Sequence, residues 1–557
     1  MCRFSQKSVN PEPGTRNPEP FFPEWPLLLA LLLVGLVLFF YQLGAAYLMD
    51  PDEGRYAEIA REMLILKDWL IPHLNLLPYL EKPPLVYWLT AISFKVFGFS
   101  AGAARLPSAV SALAGLFLAY GLGRAFWGTP AGALGALVLA TCTGYVALGR
   151  ILTLDMTFAF FLNLAIGLGY LALSRERPGL WLWAYLALAL AVLTKGPVAV
   201  VLAGLIWIIW VWINHWPWRT LINVRGWLLL VILTLPWLAY VQWRYPEFFH
   251  FFIIEQHFAR FLTPAIHPEP LYYYLPVLLA LLLPWTWLLP WGLGRGNRWG
   301  DPDYRFLVVW AAVILTFFSL SQGKLVPYIL PVLLPLALLL GRGLAYLTGP
   351  GRLMFNSRLL KTSLIVWAVS GLVLVALYFW TPQPLTRALS RANLVSPFLL
   401  MACLVWTLTP LTALIWRHLG ALLLGTLLLS ALLPPGINRV SRERSFRNMG
   451  LILKSEWQPK AALVGVQLYS QGLSFYSGHI FHLLGCRTEL DFGEKLAPQK
   501  GLCLPDKAAL GAFTAAHPVT FFFLKVHDLP WLAKGLPGTF HRLASHKDCI
   551  LVSYKGK

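Results

Sequence analysis

The chain has 557 residues, 58% of them apolar and 13% charged, and a mean hydropathy of +0.63. No soluble protein of that size can bury such a fraction, so the composition excludes a soluble enzyme and reads as a polytopic α-helical membrane protein. The formal charge of +20 would suit a nucleic-acid binder. Much of the basic excess falls in short loops between apolar runs, where a cytoplasmic bias is the simpler cause, so no nucleic-acid partner is expected.

Residues 1–25, rich in Pro and polar side chains, read as a disordered cytoplasmic tail. The first apolar run, 26–43, lacks a small-residue cleavage site and is expected to stay as an anchor. Directly after it comes Asp50-Pro51-Asp52-Glu53-Gly54-Arg55-Tyr56-Ala57-Glu58. Asp50 as N-cap, Pro51 as first helical residue and Glu53 as third make a capping-box pattern. Tyr56, Ile59, Ala60, Met63 and Leu64 then form one apolar stripe, with Arg55, Glu58, Arg61 and Glu62 turned away from it. Such a helix should lie in the membrane interface rather than cross it. The helix dipole alone favours acids in a first turn, so the case for function has to come from the rest of the chain.

Residues 85–97 are apolar but short, and Lys95 interrupts them. Further spans are expected at 105–126, 130–149, 154–173, 180–194, 197–213, 226–243, 271–291, 304–320, 325–347, 361–380, 396–416 and 418–434. With 85–97 on the surface there are about thirteen spans, and the clusters at Arg124, Arg175, Arg219, Arg305, Arg342, Arg358 and Arg417 fall on one face, the cytoplasmic one. The opposite face then carries 50–84, Arg150–Asp155, Lys195, 245–270, 322–328 and everything after about 435. Residues 26–435 are thus expected as the membrane domain. Residues 436–557 are expected as a small extracytoplasmic α/β domain, with strands over 462–469, 480–484, 519–526 and 549–554. Cys486, Cys503 and Cys549 allow one disulfide there if the compartment is oxidising.

Asp52, Arg55, Glu81, Lys82, Asp155, His257, Arg260, Lys324 and Tyr328 come from five polar stretches on that outer face. Asp155 alone reads equally as a helix cap, Lys195 as a snorkelling interface lysine, and His257 as an interface residue. Yet Arg55, Lys82, Arg260 and Lys324 are cations on the face where cations are scarce. They suit an anion, and the abundant anion at that depth is a lipid phosphate. Acids beside them suit sugar hydroxyls, a metal or a proton acceptor.

Asp52-Glu53-Gly54-Arg55-Tyr56-Ala57-Glu58, Tyr79-x-Glu81-Lys82-Pro83-Pro84, Arg105-Leu106-Pro107-Ser108, Thr153-Leu154-Asp155, Thr194-Lys195-Gly196-Pro197, Gln256-His257-Phe258-Ala259-Arg260-Phe261 and Gly323-Lys324-Leu325-x-x-Tyr328 follow one another in the order found in one family. The chain resembles the aminoarabinose transferases of lipid A, within the protein O-mannosyltransferase-like GT-C glycosyltransferases. The resemblance covers most of 26–345 and, more loosely, the C-terminal part. It implies the GT-C fold with thirteen spans and a multi-pass protein of the bacterial inner membrane, acting as a monomer with its site toward the periplasm. The donor would be a sugar, 4-amino-4-deoxy-L-arabinose or a relative, carried on undecaprenyl phosphate. The acceptor would be a lipid A phosphate or a similar envelope group. Asp52 would be the central catalytic carboxylate and Asp155 its neighbour. Arg55, Lys82, Arg260 and Tyr328 would bind the carrier phosphate, and Tyr79 and Glu53 would shape the sugar pocket. Glu81 and His257 would hold a divalent metal, zinc in the best relative. No nucleotide is expected, because the sugar arrives activated on lipid. A polyprenyl-phosphate-dependent protein O-glycosyltransferase shares this donor chemistry. A lipid-linked sugar transporter would instead need polar groups near the bilayer midplane, whereas these gather at one face.

Overall fold

The computed structural model describes residues 24–263, 268–294, 299–348, 357–380, 397–485 and 489–556, so the tail expected over 1–25 lies almost wholly outside them. Among the described residues eight helices are long and apolar enough to cross a membrane. Two bent pairs, Thr129–Thr141 with Thr143–Gly149 and Leu271–Leu281 with Trp285–Gly294, raise this to 10. Shorter apolar helices at Trp25–Phe40, Leu180–Lys195 and Val198–Ile213 coincide with the remaining expected spans. Leu85–Phe97 has 13 residues, about 20 Å at 1.5 Å per residue, too short for the roughly 30 Å core of a bilayer. The ion pairs Arg124–Glu24, Arg175–Asp303 and Arg342–Asp301, each 2.7 Å, gather these basic loop ends on one side, as the charge count requires.

On the other side the chain after the first span is tied down by a buried knot. Arg105 is fully buried. Its Nε and Nη2 donate to Glu53 Oε1 and Oε2 at 2.6 and 2.8 Å. Nη1 donates to the carbonyls of Leu43 and Ala46, and Nη2 also to that of Tyr47. Glu53 further accepts from the amides of Met49 and Leu152. Two buried charges out of water are tolerable only when every donor and lone pair is used, and here they are. The knot seats the interfacial helix Asp52–Leu66 against the stretch that leads into Asp155. The expected capping box does not form: the helix starts at Asp52, Glu53 accepts from the Met49 amide rather than that of Asp50, and the Asp50 carboxylate turns to the C-terminal domain. It accepts from Gly472 N at 2.7 Å and Ser470 Oγ at 3.2 Å.

That domain is built on a six-stranded sheet, in the order Cys503–Leu504, His482–Leu484, Ala462–Val466, Val519–Lys525, Cys549–Gly556, Gly538–His546. The small hairpin β1 (His73–Leu74) with β2 (Leu77–Pro78) belongs to the loop before it. Strands β3 (Ala462–Val466), β4 (His482–Leu484), β5 (Cys503–Leu504) and β6 (Val519–Lys525) run parallel, and β7 (Gly538–His546) and β8 (Cys549–Gly556) add an antiparallel edge. The buried runs of β3 and β6 are continuous apolar stretches, as a sheet covered on both faces demands. The two-residue β5 and the half-exposed β7 carry too little pattern to be read from sequence. Cys503 is disulfide-bonded and Cys549 is free and buried.

The interfacial helix is clamped on both sides. Ile59, Met63, Leu74, Leu77, Tyr79 and Tyr87 share one core with Leu463, Leu473, Phe481 and Phe523 of the sheet domain. Asn75 exchanges two hydrogen bonds with the backbone of Phe481, at 2.9 and 2.8 Å. Glu58 and Glu62, expected to turn away from the apolar stripe, do not reach water: they are 0% and 1% exposed and lie within electrostatic range of Tyr469 of the sheet domain.

Candidate active site

Asp52 stands in the first turn of the interfacial helix with its side chain 60% exposed, and Arg55 one turn on donates to it at 3.3 Å. The other arm of Arg55 reaches Glu489 of the sheet domain at 2.6 Å. Burial works against the Arg55 charge, but Tyr79 and Glu489 more than offset it and hold its pKa above the ordinary value. Burial raises the Glu489 pKa, against the pull of Arg55 and Gln471. Tyr79 is 4% exposed and senses both Glu81 and Arg55. Glu81 in turn accepts from Arg260 at 3.5 Å.

Asp155, in the first turn of Leu154–Ser174, is paired with Lys195 at 2.5 Å. The Lys195 ammonium sits 4.2 Å from the centre of the Tyr328 ring. Tyr328 lies within electrostatic range of Lys195, Asp155, Arg260 and Asp52, and Tyr56 within range of both Asp52 and Asp155. Lys82 closes the ring. It is half-buried, and desolvation followed by the neighbouring Arg260 pushes its pKa down to about 7, with Glu81 and Asp155 pulling the other way. Asp52, Arg55, Tyr79, Glu81, Lys82, Asp155, Arg260 and Tyr328 are thus linked by ion pairs and electrostatic contacts into one cluster, although they come from separate stretches.

Three residues depart from the sequence reading. Glu53 is no sugar-pocket residue: it is 1% exposed and consumed by the Arg105 knot. Lys195 is not a snorkelling lysine but the partner of Asp155. Lys324 points its ammonium at the carbonyls of Glu269 and Ser321, which pins a loop rather than reaching the site. Glu489 was missed, since a lone acid in a weakly patterned stretch gives no signal.

The metal expectation meets a partial fit. His257 Nδ1 lies 2.6 Å from the Phe252 carbonyl and donates to it, and burial pushes the ring's pKa below the ordinary value. With that proton on Nδ1, Nε2 is the free ring nitrogen, and the Lys195 carbonyl lies 3.4 Å from it. That is the tautomer a metal ligand needs. Among the described residues no three His, Cys, Asp or Glu side chains gather, so Glu81 and His257 would hold a cation only with water or substrate oxygens as further ligands.

Next to Lys82 and Lys195 in the chain, an apolar cleft of about 120 Å³ is walled by Pro83, Gly196, Pro197, Trp237 and Phe252. Gly196 is required there, because its φ of +91° and a Cβ only 2.7 Å from His257 Nε2 would both penalise a side chain.

The profile of the family described as dolichyl-phosphate-mannose-protein mannosyltransferase matches residues 81–240. An undecaprenyl phosphate-alpha-4-amino-4-deoxy-L-arabinose arabinosyl transferase of Pseudomonas fluorescens is 34% identical over 429 residues, covering 74% of this chain and 76% of the relative. This chain belongs to that arabinosyl transferase family. A second family member, from Shewanella sediminis, is 36% identical over 334 residues, 56% of this chain and 58% of its own. The crystal structure of ArnT from Cupriavidus metallidurans bound to undecaprenyl phosphate superimposes with a TM-score of 0.83, 27% identity, and coverage of 95% and 98%. An oligosaccharyltransferase of Archaeoglobus fulgidus shares the fold at a TM-score of 0.51 and 13% identity, over 93% and 73% of the two chains. As a member of the arabinosyl transferase family the chain is a GT-C membrane glycosyltransferase, and the transporter alternative falls away.

Proposed function

We propose that the chain moves 4-amino-4-deoxy-L-arabinose from undecaprenyl phosphate to a lipid A phosphate, in the bacterial inner membrane and on its periplasmic side. The observation that carries this is the clustering of Arg55, Lys82, Arg260 and Tyr328 with Asp52 and Asp155, next to an apolar cleft that Pro83 and Gly196 help to wall. The cleft suits a prenyl chain entering from the side. The disulfide at Cys503 suits an oxidising compartment.

The bond broken joins the anomeric carbon to a phosphate oxygen, and its electron pair leaves with the carrier. The phosphate therefore gains negative charge in the transition state. Fixed cations in a poorly hydrated site stabilise that charge more than they stabilise the ground state. Lys82, whose pKa burial lowers to about 7, is driven toward its charged form by an arriving phosphate. Asp52 faces the positive character growing at the anomeric carbon. A phosphate acceptor is already ionised and needs no base, so Asp52 positions and stabilises. Lys195 holds Asp155 oriented. A cation held by Glu81 and His257 would add positive charge near the carrier phosphate.

Purified protein supplied with undecaprenyl-phosphate-linked aminoarabinose and lipid A should yield lipid A heavier by one sugar residue in a mass spectrum. Transfer to protein with lipid A unmodified would move the chain to the protein O-glycosyltransferase reading.

A further inference from the structure

The helix Leu433–Arg444 has no part in the chemistry above, yet it carries a dense run of cations on the face that holds Asp52. Arg439, Arg442 and Arg444 lie on it, and Arg447 opens the next helix. Among the described residues none of the four is paired with a carboxylate, whereas Arg55, Arg61, Arg105 and Arg260 on the same face each are. Arg442 and Arg444 are exposed. Arg442 and Arg447 lie over the ring of Tyr47, at 5.9 and 4.6 Å.

The run is fixed beside the catalytic turn. The Tyr47 amide donates to Ser441 Oγ at 3.0 Å, and the Asp50 amide donates to the Arg444 carbonyl at 3.0 Å. A hollow of about 210 Å³ opens there, lined by Arg444, His546 and Lys547, with Asp50 and Glu443 in its wall. The Asp50 carboxylate is already engaged by Gly472 and Ser470.

The donor phosphate has its own cations, so these arginines are surplus to it. The helix leads directly out of the last span, Leu419–Ala431, which brings its arginines to headgroup depth. Guanidinium forks match phosphate oxygens in pairs. We propose that Arg439, Arg442, Arg444 and Arg447 form the docking surface for the phosphorylated headgroup of the acceptor glycolipid and hold it beside Asp52. This rests on the reading of the acceptor as a lipid phosphate.

The test uses full-length protein in nanodiscs of zwitterionic lipid, with R439Q, R442Q and R444Q made singly and together. Arg447 is left in place because it also packs on Tyr476. The probes are a bis-phosphorylated diglucosamine lipid, its dephosphorylated form, phosphatidylglycerol and undecaprenyl phosphate. Each substitution should weaken binding of the bis-phosphorylated lipid by about fivefold and raise its KM in proportion. Undecaprenyl phosphate binding should be unchanged, and R442K should retain most of the affinity. Unchanged binding of the bis-phosphorylated lipid would overturn the proposal. So would an equal loss of phosphatidylglycerol, which would make the helix a general bilayer anchor, or a parallel loss of undecaprenyl phosphate, which would make its role structural. If wild-type protein fails to glycosylate the phosphorylated lipid at all, the acceptor reading itself fails; if wild type and variants do so equally, only this docking surface does.

Discussion

Lys82 is the side chain whose charge depends most on what occupies the site. Its pKa of about 7 arises from burial and the nearby Arg260. The donor phosphodiester keeps one charge across the neutral range, so a change in donor affinity there reports on Lys82. Affinity should fall as pH rises past 7, by up to about tenfold per unit, and K82R should flatten that slope in a binding titration. Asp52 carries the opposite expectation. D52N should lower kcat by on the order of 10³ while undecaprenyl phosphate still binds with near-normal affinity. Both residues were legible in the sequence, because a cation or an acid on the outer face of a membrane protein is out of place and invites an explanation. Glu53, Lys195 and Glu489 were not. Sequence spacing cannot distinguish a carboxylate consumed by a distant Arg105 from one aimed at a sugar, nor reveal that Lys195 has Asp155 as its partner rather than water.

The interfacial helix is the element on which the site turns, and its two faces differ in how readable they were. The apolar stripe follows from helical period alone. The buried acids of the other face mimic a solvated face until the sheet domain is seen to cover them. Glu62 shows the consequence. Burial, then the Glu58 charge, push its pKa up to about 8 from an ordinary 4.5, and its Oε1 has no hydrogen-bond partner. An acid raised in the folded state gives stability that is complete below its unfolded pKa and is lost as pH climbs through the folded one. Thermal melting should therefore show a lower Tm at about pH 9 than at about pH 5, and E62Q should shrink that difference. Close approach adds a second constraint. A Cβ on Gly54 would stand 2.5 Å from Asp50 Oδ1 and 2.6 Å from the Gly472 amide, backbone that cannot yield cheaply. G54A should loosen the sheet domain, seen as faster limited proteolysis after residue 435, with a loss of about 1–3 kcal/mol in stability.

At the scale of the whole molecule, the thirteen expected segments coincide with helices because each is a strongly apolar run, although three of them are short and two are bent pairs. The edge strands β5 and β7 were not legible, being short or half wet. Deleting residues 436–557 removes the partners of Asp50, Arg55 and Asn75 together. The truncated chain should still enter the membrane but bind donor poorly in the same titration and transfer no sugar. The Asp50–Gly472 hydrogen bond joins positions 422 residues apart. A ribosome therefore finishes the catalytic helix early and its far wall last. The site is thus complete only once the last-made part of the chain has folded back onto one of the first.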